Sequence, residues 1–64
     1  MKMFIRFERK DGSYAYINPD KIVSVEESGV EGITHIDFGT KKGDYVKGTI
    51  DEVVSKIERR LLNG

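Results

Sequence analysis

Residues 3–16 read Met3-Phe4-Ile5-Arg6-Phe7-Glu8-Arg9-Lys10-Asp11-Gly12-Ser13-Tyr14-Ala15-Tyr16, two alternating runs on either side of an Asp-Gly pair. Side chains on a strand alternate between its faces, so Met3, Ile5 and Phe7 share one side and Lys2, Phe4, Arg6 and Glu8 the other. Asp-Gly between such runs is a strong signal for a two-residue hairpin turn. With Asp11 and Gly12 as that loop, Arg9 faces Tyr14, Phe7 faces Tyr16 and Ile5 faces Asn18. Opposed residues lie on one face, so this register predicts a core wall of Met3, Ile5, Phe7, Tyr14 and Tyr16. It leaves Phe4, Arg6, Ala15 and Ile17 outside, as a candidate protein interface.

Beyond the hairpin, Asn18-Pro19-Asp20 ends the second strand, because proline cannot donate to a ladder. Alternating or β-branched runs then predict strands over about 21–27, 33–38 and 44–47, after those at about 2–9 and 14–17. Within the fourth, Thr34, Ile36 and Phe38 fall on one face and Ile33, His35 and Asp37 on the other. The period changes after Gly48. Thr49-Ile50-Asp51-Glu52 has the form of a capping box, and Ile50, Val53, Val54, Ile57 and Leu61 make a helical stripe over about 50–62. Asp51 and Glu52 suit the positive end of the helix dipole, and Arg59 and Arg60 its negative end. The expected fold is α+β: a small curved antiparallel sheet of about five strands, or an SH3-like partial barrel, with one C-terminal amphipathic helix. One domain over residues 1–64 is expected.

The 64 residues include no cysteine, no tryptophan and one histidine. Disulfides are therefore excluded, and a lone His without Cys does not make a structural zinc site. Domains this small commonly need staples or association, so the stabilising burden falls on a tight core or a partner. Arg6 interrupts the first apolar run, so no signal-peptide core is expected. No segment approaches the ~18 apolar residues of a membrane span. A soluble, cytoplasmic protein without membrane insertion is the expectation.

Catalytic patterns are scarce. His35 and Asp37, two apart on one strand face, are the only pair that could orient an imidazole; a solvent-facing polar strand pair is the plainer interpretation. Gly43 and Gly48 before Thr49 superficially resemble a phosphate loop, but its lysine is missing and Tyr45 and Val46 belong to a strand. Glu26 and Glu27 are neighbours on a strand and point apart. There is no acid-rich calcium loop. No catalytic residue, cofactor or metal is expected.

Eleven basic and eleven acidic side chains give zero formal charge, which argues against a general coat for nucleic acid. The charges are nevertheless segregated. Residues 20–37 carry five acidic and one basic side chain, between mildly basic flanks. Such a surface suits docking of a protein or a second copy of the chain. The alternative is an SH3-like nucleic-acid module using Arg6, Lys41, Lys42, Lys47 and Tyr45, since sheets that bind nucleic acid combine cations with stacking aromatics.

The order of signals is itself informative. Tyr14-Ala15-Tyr16-Ile17-Asn18-Pro19-Asp20-Lys21-Ile22, a strand ending in Glu26-Glu27, and Thr49-Ile50-Asp51-Glu52-Val53-Val54-Ser55-Lys56-Ile57 together resemble the FlbD/SwrD family. These are small bacterial flagellar accessory proteins linked to swarming and motor power, and phages also encode small proteins of this form. The resemblance implies no enzyme and no catalytic residue. Architecture alone also resembles the small chromatin proteins of Sulfolobus, which are strongly basic. The functional expectation is a small non-enzymatic accessory protein acting through a protein–protein interface, with self-association as one mode.

Overall fold

The computed structural model describes residues 4–40 and 42–63. Five antiparallel strands and one C-terminal helix form an α+β fold: β1 (Ile5–Glu8), β2 (Tyr14–Ile17), β3 (Ser24–Glu27), β4 (Ile33–Asp37), β5 (Gly43–Lys47) and α1 (Ile50–Asn63). The strands make two small open sheets, β1-β2 and β3-β4-β5, and not a closed barrel. Met3, placed in the core from the sequence, lies outside the described residues.

The first hairpin closes with three loop residues instead of two. The Arg9 N–H donates to the Ser13 carbonyl at 2.6 Å, and the Gly12 N–H to the Arg9 carbonyl at 2.9 Å. Gly12 has φ +92°, the left-handed position that completes a type I turn with a bulge in such loops. Asp11 Oδ1 accepts from the Ser13 N–H at 3.0 Å and from its hydroxyl at 2.7 Å, tying the turn. Those bonds hold the Asp11 carboxyl below its usual pKa of 3.8, the Ser13 hydroxyl contributing most and its amide next.

One extra loop residue shifts the register by one, and a one-residue shift exchanges the faces of a strand. Phe7 pairs with Ala15, Arg6 with Tyr16 and Ile5 with Ile17. Ala15 and Ile17 are therefore buried with Ile5 and Phe7, while Tyr14 and Tyr16 face outward. The expected core wall of Tyr14 and Tyr16 is corrected, and so is the expected exposure of Ala15 and Ile17.

The second strand ends at a 3-10 turn, Pro19–Lys21, where the Asn18 side chain accepts from the Asp20 N–H at 3.0 Å. Capped in this way, Lys21 belongs to the turn, and β3 starts three residues later than expected. In β4 the inward face is the expected one: Thr34 and Ile36 are buried and Phe38 packs against the core. Gly43 starts β5 opposite Asp37, and a side chain there would meet the Ile36 carbonyl at 2.5 Å, so the strands close only around a glycine.

The two sheets meet at one seam. Arg9 bridges to Val46, and the Lys10 N–H donates to the Tyr45 carbonyl at 3.1 Å. Ion pairs reinforce it on both sides, Arg9 Nε to Asp44 Oδ1 at 3.0 Å and Lys47 Nζ to Glu8 Oε2 at 2.9 Å. Across the seam the strands run β2-β1-β5-β4-β3.

The helix cap is the one read from the sequence. The Glu52 N–H donates to Thr49 Oγ1 at 3.2 Å, and the Thr49 N–H to Glu52 Oε1 at 2.8 Å. The helix packs against β3 and β4, burying Val53 and Ile57 in a core with Ile5, Phe7, Ala15, Ile17, Ile36 and Val46. Thr34 is the buried polar residue, and its hydroxyl donates to the Gly48 carbonyl at 2.9 Å, fixing the strand-to-helix joint. The stripe is shorter than its period suggests. Leu61 and Leu62 are exposed, because the last turn runs beyond the residues that cover Val53 and Ile57.

Candidate functional site

With Tyr14 and Tyr16 outside, the face of β1 and β2 away from the core carries Arg6, Glu8, Tyr14 and Tyr16. Tyr14 is 52% exposed and Tyr16 65% exposed. Arg6 lies opposite Tyr16 in the register, and its guanidinium carbon stands 4.9 Å from the centre of the Tyr14 ring. Cation and ring hold one another in place, an attraction of about 0.5–1 kcal/mol at an exposed site. Phe4, also half exposed, borders a shallow recess with Tyr16, Lys21 and Phe38. Ala15 and Ile17 line that recess from the core side.

Of the four residues expected as an interface, Phe4 and Arg6 are exposed. Ala15 and Ile17 are withdrawn from it by the register. Sequence reasoning placed the two tyrosines on the wrong face along with Ala15 and Ile17, and the signal that could have recovered all four lies in the turn. Lys10-Asp11-Gly12 also suits a three-residue loop with glycine in its left-handed position.

The residues expected on a nucleic-acid surface are divided. Arg6, Tyr45 and Lys47 lie on outer faces, and Glu8 joins the two sheets there through Lys47. Lys42 is exposed in the β4–β5 turn, and Lys41 lies outside the described residues. Lys47 is already paired with Glu8, and Arg9 with Asp44. Paired cations cannot release counterions from phosphate without first losing a carboxylate partner.

His35 is not oriented by Asp37. The Asp37 carboxylate accepts from the Gly39 N–H at 2.8 Å, closing the next turn. His35 instead stacks on Tyr45, ring centres 4.7 Å apart, and lies 3.7 Å from Glu26 Oε1 on β3. Among the described residues, no group of three His, Asp or Glu side chains converges as a metal site. No described helix is long and apolar enough to cross a membrane.

Beneath the hairpin, Lys56 on α1 donates to the Arg6 carbonyl, and its ammonium stands 4.7 Å from the centre of the Phe7 ring. Loss of water around it lowers its pKa below the usual 10.5, with smaller contributions from the charges of Arg6, Arg60 and Arg59. This contact ties the helix to the strand that presents Arg6.

The chain was compared with protein-family models, curated proteins and solved structures, and none of the three gave a match. The fold and this surface therefore define it only as a small α+β protein with an aromatic outer face.

Proposed function

We propose that this chain is a non-enzymatic binding protein that docks other protein through the outer face of the first hairpin, centred on Arg6, Tyr14 and Tyr16 and extended by Phe4. The observation that carries this reading is the exposure of both β2 tyrosines beside an arginine. Tyrosine and arginine are enriched where proteins bind one another, since each offers large contact area together with a polar group. The face is also firmly held: β1 is bonded to β2, joined to β5 and braced by Lys56, so little order is lost on docking. The FlbD/SwrD resemblance, with its implied accessory role, supports the same reading.

The test compares the wild-type chain with Tyr14→Ser/Tyr16→Ser as immobilised baits, after circular dichroism shows that both are folded. A partner retained by the wild type and lost from the double variant supports docking through this face. Identical retention by both baits overturns it. Retention of DNA or RNA that weakens steeply between low and moderate salt would move the assignment to the nucleic-acid alternative.

A further inference from the structure

Ion pairing divides the cations of this chain unevenly. At the seam between the sheets, Arg9 is neutralised by Asp44 and Lys47 by Glu8. Arg6, Lys56, Arg59 and Arg60 are all exposed, and among the described residues none has a carboxylate within ion-pair distance. The carboxylates that border Lys56 are already engaged, Glu8 by Lys47 and Glu52 by the Thr49 N–H.

Helical spacing gathers these cations. Lys56, Arg59 and Arg60 stand at i, i+3 and i+4, so they share a face of α1, whereas Glu58 projects from another. Lys56 reaches from that face to the Arg6 carbonyl and brings the helix against β1. Loss of water is the main reason its ammonium is less basic than usual, and the charges of Arg6, Arg60 and Arg59 add to it. Like charges near enough to act on one another repel, and an anion among them relieves that repulsion.

We propose that this cationic cluster receives a carboxylate-rich segment of the docked protein, with its acidic side chains on Arg6, Arg59 and Arg60. This rests on the protein-docking reading above and names the chemistry of the partner. Arg6 joins the two surfaces: its guanidinium lies over the Tyr14 ring, which leaves the N–H edge open to a carboxylate. Arginine takes a carboxylate through two parallel hydrogen bonds, a fit that an acidic peptide side chain satisfies directly.

Charge elsewhere favours a short acidic segment over a membrane plane or a long phosphate backbone. α1 packs against β3, whose Glu26 and Glu27 are exposed, and Glu58 stands on the helix itself. The strand order places β3 at the far end of the sheets from the first hairpin. An extended polyanion spread across α1 therefore runs from the cations towards carboxylates, which repel it. Zero net charge also gives it no long-range attraction. A segment of a few residues meets the cations alone.

Amide NMR titration of the full chain with N-acetylated hexaglutamate at about 50 mM salt tests this, with hexaglutamine as the uncharged control. Shifts are expected at Arg6, Tyr14, Lys56, Arg59 and Arg60, with Kd on the order of 1 mM, and none from hexaglutamine. Arg59→Gln/Arg60→Gln, shown to be folded by circular dichroism, should bind about fivefold more weakly. Lys10→Gln/Lys42→Gln removes the same charge elsewhere and should change Kd by less than about twofold. No binding up to about 10 mM hexaglutamate, or an equal loss in both double variants, overturns the proposal. Tighter binding of hexathymidylate or of phosphatidylserine vesicles also overturns it and assigns the cluster to phosphate. The docking reading fails separately. A partner that an Arg59→Gln/Arg60→Gln bait retains and a Tyr14→Ser/Tyr16→Ser bait loses overturns the acidic segment and keeps docking through the tyrosines.

Discussion

Phe7 stands directly opposite Ala15 across the first hairpin, and this pairing decides which side of β2 is core. Ala15 and Ile17 point inward with Phe7, and their neighbours Tyr14 and Tyr16 are turned to solvent beside Arg6. The aromatic surface is thus a direct consequence of strand register, and it can be probed one residue at a time.

Tyr16→Ser should change stability by no more than about 0.5 kcal/mol, as expected of an exposed position. Ile17→Ala, one residue along the same strand, should cost about 2–5 kcal/mol through lost burial and the cavity left behind. Urea unfolding of the two variants checks the faces. A larger loss at Tyr16 than at Ile17 would contradict the register.

Gly12→Ala should destabilise the hairpin by about 1–2 kcal/mol. A new methyl group meets no atom within 4 Å, but φ of +92° is unfavourable for any L side chain. Gly12→Asn should lose less, since asparagine tolerates the left-handed region better. Thermal unfolding distinguishes the two variants.

Along the helix, Ile57→Ala should cost about 2–5 kcal/mol, whereas Leu62→Ala should stay within about 0.5 kcal/mol. Ile57 is buried against the sheet and Leu62 is 85% exposed. Equal effects in denaturant titration would show that the last helical turn is packed after all.

Thr34→Val keeps the shape of a buried side chain but removes the donor to the Gly48 carbonyl. A loss of about 1–3 kcal/mol is expected if that carbonyl finds no other donor. Amide exchange of the first turn of α1 should accelerate, because the joint holding the helix start is weakened.

Acid should weaken the first turn through Asp11. Its folded pKa lies below the usual 3.8, so the unfolded chain binds the proton more readily. The stabilisation is fully present above the ordinary value and is lost as pH falls through the lower folded one. Asp11→Asn lacks this titration, so its urea midpoint should trail the wild type at pH 7 and converge with it in acid. Lys56 has the same sign although it is a base. Its lowered pKa means that folding gains as pH rises through the folded value, and Arg6→Gln should move that pKa back towards 10.5. Side-chain NMR titration reads both groups.

The amino-acid sequence alone determined the elements. Alternation over Ile5–Glu8 and Ile33–Asp37, the capping box at Thr49 and Glu52, and the spacing of Val53 and Ile57 are local signals, each satisfied within a few residues. Tertiary structure decided the faces and the edges. A strand repeats every two residues, so one additional residue in the Lys10–Gly12 loop reverses which β2 side chains are core, and the alternating pattern of Tyr14–Ile17 is compatible with either side. Packing settled the choice, since small Ala15 and aliphatic Ile17 fit beneath Ile5 and Phe7 while the tyrosine hydroxyls stay in water. The length of helix that packs and the joining of two sheets through Arg9, Val46 and the Glu8–Lys47 pair likewise depend on contacts between residues far apart in the chain, which no local pattern encodes.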